Sequence, residues 1–502
     1  MEALTAHRFQ SVPRRRPALR RLRSIPSRPS QGRFAQARRN CIATPTLIGD
    51  SAALRIESLS TVALPDMDEK GGGERGWGFQ AQAIWACRKS GSGRGKLPSM
   101  RRYYTMWWVY SFANGFLYGV YPLFLRSRGL NQFQINSVLA TFFVVIFLTD
   151  VPTGAFADAL GRRRSFVIGC AHRVAAFLLY FSAHHYAVFL IAEMIDGVGT
   201  TFCNGAIDAW GVDALDKAGF NGLKDRLFSR ISQLTSMGFM AASLIGGYVA
   251  DVNIAWPWLL GAAGFFVSAM VATNLMRDHG AHGPRVEIEK IPAQVTERVV
   301  GGLRSGFGNR PVMLLSLATA ATTAALAPYW LQWPQYFNDT YGVGIWIIGW
   351  VYCLFTSARI AGAEAVMHLS MDEGKRATRL MVLLIFVGVL LFMAGTESHR
   401  PNLVLALLFM MNLCSGAMQP LTQSWLNEQI SAGERATLLS FNTTFATMGG
   451  SMGLLGEGAV TDKFGIPAAW QMSGVLTLAA MPCYLMLRTW RAAGAVMTEA
   501  SC

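Results

Sequence analysis

The sequence predicts an all-α membrane protein with twelve transmembrane helices arranged as two parallel six-helix repeats. Three observations predict it. Of 502 residues, 52% are hydrophobic and only 15% charged, against about 25% charged in an ordinary soluble domain. After residue 100, apolar stretches recur at lengths near the ~20 residues that cross ~30 Å of hydrocarbon as a helix. The second six of these stretches echo the first six.

Residues 1–99 precede the membrane body. They hold 18 Lys/Arg against 7 Asp/Glu, leaving 27 against 23 for the remainder, so the net charge of +15 divides into +11 and +4. Glu2 is the only acid before Asp50, and no apolar run is long enough to span a bilayer or form a signal core. This is the composition of a non-globular basic extension. Two origins fit it: a start assigned upstream of Met100, which is followed at once by Arg101, Arg102 and an apolar segment, or an organellar leader. The basic tail has no nucleic-acid-binding motif spacing, so no nucleic-acid partner is expected.

The spans then follow in order: Tyr103–Phe124, Ile135–Ala157, Phe166–Ala183, Tyr186–Leu215, Ile231–Ala250 and Ile254–Leu275 make the first bundle, within residues 100–276. Val312–Phe337, Val343–Met367, Leu380–Ala394, Leu403–Ile430, Leu438–Val460 and Ile466–Leu487 make the second, within 312–490. Residues 277–311, rich in Gly, Pro and charge, read as a central loop, and 491–502 as a tail. Lys and Arg crowd the loops of one side, from Arg162–Arg164 through Lys217, Lys224 and Arg277 to Lys375 and Arg435. The other side has only Arg126, Arg128, Arg400 and Lys463. The positive-inside bias therefore places both termini and the central loop in the cytoplasm of a cell membrane.

The repeat is visible in particular residues. GGYVADVNIAWPW, with Gly247, Asp251 and Trp258, is echoed by GEGAVTDKFGIPAAW, with Gly458, Asp462 and Trp470. Trp210 is likewise echoed by Trp425. Offsets of 211 and 215 agree closely enough for a duplicated six-helix unit of unchanged topology, one of the recurring secondary-transporter plans.

The loop between the second and third spans reads GAFADALGRRR, Gly154 to Arg164. It resembles the cytoplasmic loop motif G-x-x-x-D-x-x-G-R-[KR]-[KR] of the major facilitator superfamily, with Gly154, Asp158, Gly161, Arg162 and Arg163 in register. The span count and repeat extend the resemblance over residues 100 to 490. It implies a secondary transporter that moves a small organic solute by alternating access, with the first, fourth, seventh and tenth helices lining the cavity. It also implies a drug/proton-antiporter-like activity, with export as the first reading and proton-coupled uptake of a nutrient as the second.

Physically, the motif loop fits either a conformational latch or a topological anchor. Glycines permit a tight turn, and a carboxylate at a helix end can hold an arginine or a helix N-terminus. Asp213 and Asp208 are candidate partners of Arg162 or Arg163, and Arg435, at the entry of the eleventh span, is a further latch candidate. In the second half the corresponding loop keeps Gly362 but has Val366 where the aspartate would fall. The fifth span carries GFMAASLIGG. Gly238, Gly246 and Gly247 match the antiporter motif G-x-x-x-G-P-x-x-G-G of the drug/proton exchangers, while Ala242 and Ser243 replace its central Gly-Pro. Helix packing through small residues would explain the same pattern.

Ionisable residues inside the spans are the sharper clues, since a charge in hydrocarbon costs ~3 kcal/mol or more unless paired or wet. Asp150 and Arg173 lie at similar depth counted from the motif loop, which fits a structural ion pair or a substrate-binding Arg173. Asp196 stands near the middle of the fourth span with no basic residue at its depth on its own helix, as either a proton carrier or a solvated cavity acid. Cavity candidates are Asn114, Tyr118 and Tyr121 on the first span, Tyr329, Gln332 and Trp333 on the seventh, and Asn412, Gln419 and Gln423 on the tenth. The eight cysteines are scattered singly, and HExxH and clustered Cys/His are lacking. No metal, cofactor or enzymatic chemistry is therefore expected, and a monomer would suffice.

Overall fold

The computed structural model describes residues 96–217, 224–276, 301, 304–367, 375–430 and 435–489. Most of the basic extension, most of the central loop and the last residues lie outside them. The described residues form helices and their connections, with no strand. The helices are α1 (Lys96–Gly115), α2 (Val120–Ser127), α3 (Gln132–Leu160), α4 (Arg162–Ser182), α5 (Tyr186–Lys217) and α6 (Lys224–Val252). They continue as α7 (Trp256–Leu275), α8 (Arg310–Tyr341), α9 (Trp346–Met367), α10 (Arg376–Thr396), α11 (Pro401–Glu428) and α12 (Arg435–Leu476).

These match the expected spans with two differences. The first span is broken: the chain turns at 116–119, where Tyr118 N–H donates to the Gly115 carbonyl at 3.1 Å and Gly119 takes φ 88°. A Cβ there would also lie 2.7 Å from Ile348, so the left-handed turn and the close neighbour both require glycine. The second difference is that α12 makes two passes. Gly465 has φ 82° and ψ 169°, and the chain folds back about it, since Ser473 donates to Glu457, eight residues away on either side of the glycine. The region Leu438–Thr489 has 52 residues, about 78 Å as one straight helix, and a two-pass hairpin accommodates that length.

Nine of the described helical segments are long and apolar enough to cross a bilayer, this hairpin counting as one. Large apolar side chains such as Phe266 and Phe386 are 60% and 54% exposed, an outer surface suited to lipid tails.

Buried apolar side chains fall into two clusters. One is centred on Tyr110, Phe166, Phe177, Trp258 and Phe265 of the first half, the other on Trp333, Phe337, Phe355, Trp425 and Trp470 of the second. Within the first, α4 packs along α5 and α7, and α1 along α6 and α7. Within the second, α8 packs along α12 and α9 along α11. The halves meet through α3 on α12 and α6 on α9. Glycine makes the closest approaches possible: a Cβ at Gly246 would lie 2.1 Å from the Phe116 carbonyl oxygen, and one at Gly453 1.9 Å from that of Ala324.

Candidate functional site

At the motif loop, Gly161 (φ 99°) separates α3 from α4 as a one-residue turn, its N–H bonded to the Ala157 carbonyl. The turn places Asp158 and Arg162 together, Oδ1 to Nη1 2.6 Å, with Asp213 of α5 at 3.9 Å from Arg162 Nε. Arg163 is also engaged. Asp208 lies apart from this group, accepting from the Tyr103 hydroxyl at 3.4 Å. A Cβ at Gly154 would meet nothing within 4 Å, so that glycine serves no close packing here. Arg435 begins α12, and its side chain lies outside the described residues.

The opposite end of the bundle joins the two halves. Asp462 of α12 accepts from the backbone N–H groups of Gln132 and Phe133, at 2.8 and 2.9 Å, at the start of α3. Asp251 of α6 accepts from Ile345 N–H at 2.8 Å, at the start of α9. Arg126 and Asp339 pair across the halves at 2.6 Å. Nearer mid-membrane, Asn136 donates to the Leu454 carbonyl and the Tyr118 and Tyr352 rings meet at 4.5 Å. At the motif-loop end the ion pairs just described stay within the first half.

A polar cluster is buried between these ends, and it corrects the expected pairing. Arg173 binds Asp196, not Asp150: Nε to Oδ1 is 2.8 Å and Nη2 to Oδ2 3.0 Å, a bidentate contact between buried groups. Asp150 is exposed on α3, and α3 meets α4 mainly at their shared turn, whereas α4 lies along α5. Asp196 is therefore not a lone carboxylate. Arg173 also donates from Nη1 to Asn114 Oδ1 at 2.6 Å and to the Tyr110 hydroxyl at 3.1 Å, and its guanidinium lies 4.1 Å from the centre of the Phe265 ring.

One helical turn before Asp196 stands Glu193, which the sequence reading missed. It is buried and accepts from the Tyr180 hydroxyl, which in turn meets the Tyr121 hydroxyl at 3.4 Å. The signal was available: a second acid three residues from the first shares its helix face. Two carboxyls thus face one guanidinium.

The remaining cavity candidates do not form one surface. Tyr329 and Asn412 bond each other at 2.9 Å, Gln332 donates to Thr461 at 2.9 Å, and Trp333 packs on Phe355; all four are buried. Gln419 and Gln423 are exposed on α11. Gly238 faces α1, Gly246 the backbone of Phe116 just after it, and Gly247 the start of α9, so in this structure the glycine motif serves close packing. Arg359 of α9, also missed from sequence, has its guanidinium carbon 5.0 Å from the centre of the Trp330 ring.

Comparison with known proteins agrees with this architecture. The family model described as Major Facilitator Superfamily matches residues 104–396 and 333–495. The chain is 19% identical over 373 residues to the uncharacterized MFS-type transporter YxaM of Bacillus subtilis, covering 73% of this chain and 90% of that protein. It is 23% identical to the multidrug resistance protein MdtH of Aeromonas hydrophila, covering 62% and 74% respectively. The solved structure of the nucleoside transporter NupG superposes with a TM-score of 0.63 at 11% identity, over 77% of this chain and 98% of that one. The chain is a multi-pass membrane protein and belongs to the major facilitator superfamily of transporters.

Proposed function

We propose that this transporter exports a small organic solute in exchange for protons, with the Glu193–Asp196–Arg173 cluster as the proton site. The observation that carries this reading is the charge count: two buried carboxyls face one arginine, so the cluster reaches electroneutrality when one carboxyl holds a proton. Asp196 takes both prongs of the guanidinium. Glu193 has hydroxyl donors and no cation of its own among its described hydrogen bonds, which makes it the carboxyl that gains and loses the proton. Resemblance to multidrug resistance proteins supports the outward direction. The arginine-rich loops support a cytoplasmic motif loop, and on that orientation the structure corresponds to a conformer closed on the outside.

Proteoliposomes with an imposed pH gradient, screened over a panel of organic solutes, test the proposal. Solute should move against the proton flux. Glu193→Gln should abolish gradient-driven accumulation while preserving solute exchange at equal pH. Undiminished gradient-driven accumulation in that variant would remove Glu193 from the proton path. Solute moving with the protons would make the protein a symporter.

A further inference from the structure

We propose that Arg359 is the recognition point for the anionic group of the transported solute, so that the substrate class is small, flat organic anions; this rests on the transport reading above.

The arginines of the ion pairs described above are held by carboxylates. Arg162 has Asp158, Arg126 has Asp339, and Arg173 spends its donors on Asp196, Asn114 and Tyr110. Arg359 differs. It stands 13 residues beyond the start of α9 at Trp346 and eight before its end at Met367, about 20 Å and 12 Å by helical rise. At that depth in a span, no carboxylate among the described residues comes within ion-pairing distance, and an uncompensated charge there marks a functional site. What surrounds it is aromatic. The Trp330 ring lies 5.0 Å below the guanidinium, and Tyr118, Tyr329 and Tyr352 are close enough to feel its charge.

The backbone that carries Arg359 is closely packed. A Cβ at Gly416 of α11 would fall 2.1 Å from the Arg359 carbonyl oxygen, so the backbone beneath Arg359 is locked against its neighbour. The ring face of Trp330 occupies one side of the planar cation and leaves its N–H fork for a planar, doubly accepting anion. Tyr329 accepts from Asn412 Nδ2 at 2.9 Å, which leaves its own hydroxyl proton to donate. Tyr118 comes from the first half and Tyr352 from the second, with centroids 4.5 Å apart, so the group lies where the halves meet and where alternating access must part them. A carboxylate or sulfonate on an aromatic ring matches all of this: the anion to guanidinium and hydroxyls, the ring to the aromatic faces.

The test is binding of salicylate and naphthalene-2-sulfonate, against the uncharged salicylamide, to the full chain purified in detergent. Either anion should bind at least tenfold more tightly than salicylamide. Arg359→Gln should erase that preference without altering salicylamide binding, and Arg359→Lys should retain part of it. If neither anion outcompetes salicylamide in the parent protein, a comparison that needs no variant, the proposal is overturned. It is equally overturned if Arg359→Gln binds the anions as the parent does. The transport reading fails separately. Anions bound through Arg359 but never moved in vesicles would retain this site and remove the export proposal, whereas a cationic dye exported with no anion binding would do the reverse.

Discussion

The join between the halves gives a prediction whose size can be worked from the structure. Asp462 accepts two backbone N–H bonds from the start of α3 and Asp251 one from the start of α9. All three donors belong to helix N-termini, where such groups lack intrahelical partners and the helix dipole favours a carboxylate. Asp462 is exposed, so each bond is taken at about 1 kcal/mol. Asp462→Ala should therefore weaken closure at that end by about 2 kcal/mol, roughly thirtyfold in the closed-to-open ratio. Adding Asp251→Ala should bring the total to about 3 kcal/mol, beyond a hundredfold. Asp462→Asn keeps one acceptor oxygen and should show about half the effect. Spin labels at positions 185 and 399, on exposed loops of the two halves at that end, would report the separation by electron–electron resonance in a background freed of native cysteines. A distance distribution in the double Ala variant that matches the parent would refute the reasoning and leave the contacts as incidental.

Three further outcomes follow from the geometry. Removing one partner of the buried pair, by Arg173→Leu or Asp196→Leu, should destabilise the protein by about 3–5 kcal/mol, and the double Leu variant should recover part of that loss; thermal melts in detergent measure both, and additive losses would deny the pairing. Gly453→Ala and Gly246→Ala should each lower stability by about 1–3 kcal/mol through overpacking, while Gly456→Ala, whose Cβ would meet nothing within 4 Å, should leave the melting temperature unchanged. Asp158→Asn should cost about 1 kcal/mol or less, because its pair with Arg162 is partly exposed to solvent, yet slow initial transport rates at equal expression; unchanged rates would reduce the motif loop to a topological anchor.

The sequence was most legible where backbone conformation alone decides, as at Gly161, and where bilayer thickness sets element length. It was least legible where azimuth matters. Depth arithmetic from the motif loop put Arg173 level with Asp150, but height along a helix does not say which neighbour the helix faces. Counted from the other end, Arg173 lies nine residues before Ser182 and Asp196 ten after Tyr186, about 14–15 Å along antiparallel neighbours, so their heights match as well. Only the packing of α4 along α5 decides between the two. Glu193 escaped because its hydrogen-bond partner is a tyrosine hydroxyl, and Arg359 because the group it stacks on is a tryptophan ring.

The duplicated aspartates show how a repeat becomes legible once the halves are paired. Asp251 and Asp462 end the fifth span of each half and are separated by 211 positions. The N–H groups they accept from, Ile345 against Gln132 and Phe133, begin the second span of the opposite half and are separated by 213 and 212. A two-fold relation between parallel repeats demands such reciprocity, because any contact from the fifth helix of one half to the second of the other must have its mirror in exchange of the halves. The carboxylate appears in both copies because closing this end takes two equivalent seams. Separation at this end would break both seams together, so the Asp462→Ala and Asp251→Ala variants read one closure from its two sides.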